Sequence, residues 1–123
     1  MFMCGSVPSK SQGSSLFEGR LPQMNIGTAA GTSCAPALGH AVATLFGAQA
    51  DYSHVINGRF KGGHITRHFG DPAQGLHAVQ LEMCWRAYME ETAPYVWHEA
   101  RAAAVTPLLR QLVLTLRDWR PTA

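Results

Sequence analysis

The hydrophobic and polar positions divide the chain into a polar start, a middle of short apolar segments and a long periodic tail. Residues 1–15 are rich in Ser and Gly and show no hydrophobic period after the first four positions. Such a segment buries too little apolar surface to offset the entropy of ordering, so we predict that it is flexible. We expect the folded portion to comprise residues 16–123, with a first short strand near Met24–Ile26.

A helix with one buried face is predicted in the first half of the chain. Pro36 lies where the first turn of a helix tolerates proline, and Thr32 or Ser33 can serve as the N-cap. Apolar residues then recur at helical spacing as far as Gly47, and they are Leu38, Val42, Leu45 and Phe46.

Two further strands and a long terminal helix complete the predicted elements. The segments Tyr52–Ile56 and His77–Met83 have the composition and alternation of strands. The tail has a helical period whose apolar face is traced by Trp97, Ala100, Ala104, Leu108, Leu112, Leu116 and Trp119. Pro107 lies inside this tail, so either the helix kinks there or Thr106 caps a second helix. These elements predict a partial α/β domain with a long C-terminal amphipathic helix, because two or three strands are few for a complete one.

Composition narrows the class of protein. The 10 basic and 8 acidic residues give a net charge of only +2, which argues against nucleic acid or a membrane surface as a partner. No apolar run approaches the length of a membrane span, and the start lacks the pattern of a signal peptide. The three cysteines form no CxxC pair, so neither a disulfide framework nor a cysteine zinc site is indicated. We therefore expect a cytoplasmic location.

The segment Asn57–Glu82 concentrates the residues that carry chemistry, with three basic side chains and three histidines. The planar guanidinium of Arg67 suits a carboxylate, and His68 beside it titrates near neutral pH. Glu82 lies at the carboxyl end of an apolar strand, where α/β folds place ligand-binding groups. Desolvation there by Val79, Leu81 and Trp85 would raise its pKa and suit it to general-base chemistry. An alternative is that Arg67 and Glu82 form a structural ion pair.

The same segment gives weaker evidence for a metal site, a phosphate-binding loop or a nucleic-acid-binding site. His64 and His68 would share one face of a helix, but Gly62-Gly63 and the β-branched Ile65-Thr66 disfavour a helix and hence a metal-binding pair. The letters NGRFKGG lack the GK[ST] sequence of a phosphate-binding loop. The basic runs carry little interleaved aromatic surface for nucleic acid.

The order of several motifs resembles the C-terminal part of the N-formylglutamate amidohydrolases (deformylases). The motifs are GRLPQMNIGT, SCAPAL, VINGRFKGGHITRHFGDPAQGLHAVQLEM and YMEE, followed by the C-terminal helix. The resemblance implies an α/β domain with a mixed sheet, similar to zinc carboxypeptidases and aspartoacylases, that hydrolyses N-formyl-L-glutamate in histidine degradation. It implies a zinc-bound water as nucleophile, with Glu82 as the base that takes its proton. It further implies that Arg67, or secondarily Arg59, binds the substrate carboxylate, and that His68 and Lys61 line the anionic pocket.

The chain departs from the family at its start. Family members carry their zinc ligands upstream of the GRLP motif, including a histidine in an Asp-x-His-Ser type motif, and residues 1–15 contain no histidine. We therefore assign no metal ligand to this chain. A second hypothesis is a catalytically inactive remnant that binds a small dicarboxylate or a partner chain, and a third is a metal site built from His64, His68 and His77. A partial sheet also has open edges, which predict self-association.

Overall fold

The computed structural model describes residues 2–8 and 20–122 of the chain. Short 3-10 turns lie at Pro72–Gln74 and Trp85–Ala87. The helices and strands are β1 (Phe2–Val7), β2 (Met24–Gly27), α1 (Pro36–Gly47), β3 (His54–Ile56), α2 (His64–Phe69), β4 (Val79–Cys84) and α3 (Glu99–Asp118).

The four strands form one mixed sheet in the order β1-β4-β2-β3. β1 is parallel to β4, β4 is antiparallel to β2, and β2 is parallel to β3. The prediction of an α/β fold with a mixed sheet and a long C-terminal helix is therefore confirmed. The two later strands are present with shifted bounds, because β3 begins at His54 rather than Tyr52 and β4 at Val79 rather than His77.

The prediction that residues 1–15 are flexible is wrong for residues 2–7. These residues form β1, which pairs along its whole length with β4, from Phe2 opposite Val79 to Val7 opposite Cys84. Backbone hydrogen bonds to a buried neighbouring strand hold the segment, so its lack of a hydrophobic period does not prevent strand formation. The rest of the predicted flexible segment, residues 9–15, lies outside the described residues.

Both long helices pack on the same face of the sheet. The core there joins side chains from β2 and β4 to those from α1 and α3, and its fully buried members include Met24, Ile26, Val42, Phe46, Leu81 and Leu112. Side chains alternate across a strand, so the residues between the core positions of β4 face the other side. That second face carries the candidate site.

The predicted helix α1 is confirmed, but its predicted cap is wrong. Ala35 occupies the N-cap position and makes no side-chain capping bond. Ser33 instead donates its hydroxyl hydrogen bond to the carbonyl of Ala78, at 2.7 Å. This serine therefore joins the start of α1 to the chain entering β4.

α3 is one continuous helix of 20 residues that includes Pro107, so no second helix starts there. Thr106 does not cap a helix, because its hydroxyl donates to the carbonyl of Ala102 one turn earlier, at 2.7 Å. The predicted apolar face is right at Leu108 and Leu112 and wrong at Trp97, which precedes the helix and is 60% exposed. The remaining buried helix positions are Ala102 and Val105, rather than Ala100 and Ala104. Across the described residues, no helix is both long and apolar enough to cross a bilayer.

Candidate functional site

A row of polar and small residues crosses the sheet on the face opposite the helices. Glu82 of β4 lies between Gly5 of β1 and Asn25 of β2 in the strand register. Gln80 lies two residues earlier on β4, opposite Gly27 of β2. Because residues two apart on a strand share a face, Gln80 and Glu82 present their side chains to the same side.

Glu82 is half-buried, and its carboxylate lies directly over Gly5. A Cβ placed on residue 5 would lie 2.6 Å from Oε1 of Glu82, closer than two non-bonded atoms can approach. The absence of a side chain at Gly5 is thus what makes room for the carboxylate.

Burial raises the pKa of the Glu82 carboxyl above its ordinary value, in the direction predicted from the sequence. Glu82 lies near the carboxyl end of β4, two residues before the strand ends at Cys84. Val79 and Leu81, which we expected to desolvate it, belong instead to the helix-side core. Alternation of side chains separates them from Glu82.

Gln80 connects Glu82 to the segment that follows β3. Its side-chain Oε1 accepts hydrogen bonds from the backbone N–H of Gly63, at 2.9 Å, and from the hydroxyl of Thr66, at 3.2 Å. Its Nε2 donates to Oε1 of Glu82, at 3.2 Å. The buried side chain of Gln80 therefore contacts the loop before α2, α2 itself and the carboxylate.

The loop between β3 and α2 is held against β2 by backbone contacts and by Asn57. Asn57 adopts a positive φ of 53° and accepts a hydrogen bond from the N–H of Thr28 through Oδ1, at 2.8 Å. The backbone of Lys61 passes so close to Gly27 that a Cβ there would lie 2.7 Å from the Lys61 carbonyl carbon. These contacts fix the path that brings Lys61 and α2 onto the site face.

Residues 64–69 form the short helix α2, so the prediction that glycines and β-branched residues prevent a helix here is wrong. Tertiary contacts override the weak local propensity, since Thr66 is buried against Gln80. The rings of His64 and His68 stack with their centroids 5.0 Å apart. Both side chains are exposed.

The four residues predicted to bind an anion all lie on this segment and are exposed, and they are Arg59, Lys61, Arg67 and His68. The alternative of a structural ion pair between Arg67 and Glu82 is wrong. Within the described ranges, ion pairs join Glu90 to Arg101 and His98, and Arg117 to Asp118. Arg67 is the next residue after Thr66, whose hydroxyl donates a hydrogen bond to Gln80.

The hypothesis of a metal site from three histidines is not supported by the geometry. His77 accepts a hydrogen bond from the N–H of Ala35 through Nδ1, at 3.1 Å, and its ring packs edge-on against Trp119. It thus contacts the start of α1 and the end of α3, whereas His64 and His68 stack on each other. In the part of the chain that the structure describes, no group of three or more His, Cys, Asp or Glu side chains is arranged to hold a metal ion. These residues therefore do not fit the zinc site that the resemblance implies.

Two residues of this site were not singled out by sequence reasoning. Gln80 carries a usable signal, because strand alternation places it on the same face as Glu82. Gly5 carries none, because its role depends on the pairing of β1 with β4 across more than seventy residues of chain.

Comparisons with known proteins agree on one family. The family model of N-formylglutamate amidohydrolase matches residues 1–89. The chain is 51% identical over 104 residues to an N-formylglutamate deformylase of Pseudomonas aeruginosa, and 50% identical over 104 residues to one of Pseudomonas putida. Each match covers 85% of this chain.

A solved structure shares the fold. A crystal structure of an N-formylglutamate amidohydrolase from Ralstonia eutropha superposes with a TM-score of 0.73 at 23% identity, over 94% of this chain. The chain spans 39% of the length of the two Pseudomonas relatives and 42% of the Ralstonia chain.

Proposed function

Because the chain belongs to the N-formylglutamate amidohydrolase family, we propose that it is the substrate-binding and proton-accepting part of an N-formylglutamate deformylase. Its reaction is the hydrolysis of N-formyl-L-glutamate to L-glutamate and formate. The observation that carries the proposal is the Glu82 carboxylate, half-buried and held by Gln80 beside an exposed basic segment. We further propose that this reaction belongs to histidine degradation and that the fold is similar to zinc carboxypeptidases and aspartoacylases. The cysteine pattern supports a cytoplasmic location.

The basic segment suits the charge of the substrate. N-formyl-L-glutamate carries two carboxylates, and the segment offers two arginines, one lysine and two histidines within ten residues. Arg67 is the first candidate for a carboxylate, because its guanidinium can donate two parallel hydrogen bonds and it follows Thr66, which contacts Gln80. Arg59 is the second candidate, and Lys61 and His68 add positive charge and donors.

Glu82 supplies the proton acceptor. As water attacks the formyl carbon, Glu82 takes one proton from it, and the carbon–nitrogen bond then breaks. The same carboxyl group can return the proton to the leaving nitrogen, so the carboxylate is regenerated. A raised pKa favours this role, because it makes the carboxylate a stronger base toward the attacking water.

The resemblance implies a zinc ion as well, but the residues that the structure describes do not fit one. This misfit favours a second candidate function, in which the chain binds a small dicarboxylate or a partner chain without hydrolysing it. Glu82 and Arg67 provide a base and a binding group, whereas a catalytic zinc usually needs three protein ligands.

One experiment separates the two candidates. Purified chain is mixed with N-formyl-L-glutamate, with zinc supplied or with a chelator, and formate release and binding are both measured. Turnover that is lost in Glu82→Gln supports the hydrolase, and binding without turnover supports the second candidate. A chain that neither binds nor hydrolyses the substrate contradicts both.

A further inference from the structure

Gln80 joins the two halves of the proposed site through one side chain. The side chain is only 4% exposed, so each of its polar atoms needs a partner within the protein. Oε1 has two donors, the N–H of Gly63 and the hydroxyl of Thr66. Nε2 has the carboxylate of Glu82 as its acceptor.

The orientation of this amide is determined by its surroundings. The donor at Gly63 is a backbone N–H, which cannot act as an acceptor, so the oxygen of the Gln80 amide must face it. The nitrogen is then left facing Glu82, because the oxygen and nitrogen are bonded to the same carbon. A rotated amide would place an N–H against the Gly63 N–H and an oxygen against the carboxylate.

We propose that Gln80 is a positioning residue that fixes the Glu82 carboxylate relative to the segment carrying Lys61 and Arg67. Its part in catalysis rests on the proposed function, but its action on the carboxylate is a property of the chain itself. The donated N–H stabilises the ionised carboxylate and so opposes the effect of burial. Gln80 thereby favours the ionised form of Glu82, which is the form that accepts a proton.

The elements that pack against the site face carry charged and titratable groups. Cys4 on β1 is near enough that desolvation and the charge of Glu82 together raise the pKa of its thiol. The loop before α2 carries Lys61, and α2 carries His64, Arg67 and His68. All test variants are therefore built in a Cys4→Ser background, which removes the titrating thiol and keeps a residue of similar size.

The test is a pH titration followed by carbon-13 NMR of the side-chain carboxyl groups. The five glutamates of the chain give few signals, and loss of one signal in Glu82→Gln assigns Glu82. Gln80→Met keeps the length of the side chain but removes its donor, and should raise the titration midpoint of Glu82 by about one pH unit.

Thr66→Val is the matched control. It removes one hydrogen bond to Gln80 but leaves the Gly63 N–H to orient the amide. The Glu82 midpoint should then stay within about 0.3 pH unit of the starting value. An unchanged midpoint in folded Gln80→Met overturns the proposal, and so does an equal rise in Thr66→Val.

A second measurement needs no variant of Gln80 and covers the case in which Gln80→Met does not fold. The side-chain amide signals of Gln80 should shift with pH at the same midpoint as the Glu82 carboxyl carbon. Amide signals that do not follow the Glu82 titration overturn the proposal. Neither measurement uses substrate or turnover, so failure of the proposed function would not change either result.

Discussion

The carboxylate of Glu82 occupies the space that a side chain on Gly5 would fill. β1 therefore contributes to the site although none of its side chains carries the chemistry. Oε1 of Glu82 lies 2.6 Å from the place of a Cβ on residue 5, and the carboxyl carbon lies 2.7 Å from it. A substitution at Gly5 on β1 should thus alter the position of Glu82, the proposed base, on the neighbouring strand β4.

Gly5→Ala should displace the Glu82 carboxylate toward solvent. The displaced group loses both its burial and its contact with Gln80, so its pKa should return toward the ordinary 4.5. The free energy of unfolding should change by less than about 1 kcal/mol, because the end of a flexible side chain can move aside. Carbon-13 NMR titration and urea unfolding measure the two quantities.

Gly47→Ala is the control for that substitution. A Cβ on Gly47, at the end of α1, would meet open space. It should leave the Glu82 titration unchanged. If Gly5→Ala also leaves the Glu82 titration unchanged, the Glu82 carboxylate does not lie over Gly5 as described.

The sequence predicts most of the scaffold because burial of apolar side chains decides it. Leu38, Val42 and Phe46 specify α1, and Leu108 and Leu112 specify the buried face of α3. These residues repeat with the period of the element that they build. Local pattern alone is therefore sufficient for them.

The parts that local pattern does not predict depend on contacts between distant segments. β1 has no hydrophobic period and exists because β4 offers it a row of backbone partners. α2 contains residues of low helix propensity and is held by Thr66 against Gln80. The candidate roles of Glu82 and of the basic segment come from the family motif, whereas Gly5 and Gln80 require the register of the sheet.

Glu82→Gln should stabilise the chain at neutral pH. Below pH 4.5 the carboxyl group is protonated in both folded and unfolded states, and its titration has no effect. As the pH rises from 4.5 through the raised pKa of the folded state, the folded chain retains a proton that the unfolded chain loses, and stability falls. The glutamine keeps the shape and does not ionise, so the variant avoids this loss.

Urea unfolding at several pH values checks this prediction. The advantage of Glu82→Gln in the free energy of unfolding should be larger at pH 7 than at pH 4. A difference between the two proteins that stays constant over this range would show that burial does not raise the pKa of Glu82.

Arg67→Gln should weaken binding of N-formyl-L-glutamate by about tenfold without changing stability. Arg67 is exposed, and it takes part in no ion pair within the described ranges, so its loss leaves no buried group without a partner. Arg110→Gln removes the same charge from an exposed position on α3 and serves as the control. Isothermal titration calorimetry should show a loss of affinity in Arg67→Gln only. Equal losses in both variants would mean that net charge, and not the position of Arg67, determines the affinity.

Two copies of the chain should associate through β1, which is an edge strand of the sheet that the structure describes. Residues 2–7 contain no charge and no proline, whereas β3 at the other edge is only three residues long. An uncharged edge strand of this length readily pairs with another strand. Sedimentation velocity should therefore show association that increases with protein concentration.

A charge on β1 should weaken that association by about tenfold. Ser6→Lys places the charge on an exposed position of the edge, and Ala103→Lys adds the same charge to an exposed position on α3. The first should shift the chain toward monomer and the second should not. A wild-type chain that remains monomeric at all concentrations contradicts edge pairing.

The basic segment and Glu82 are proposed to form one binding site for N-formyl-L-glutamate. Amide NMR signals recorded during a titration with this compound test it most directly. We expect a saturable shift of the signals from residues 61–68 together with those of residues 80–82, and the loss of these shifts in Arg67→Gln. Saturable shifts confined to another part of the chain, or no shifts at millimolar substrate, would contradict it.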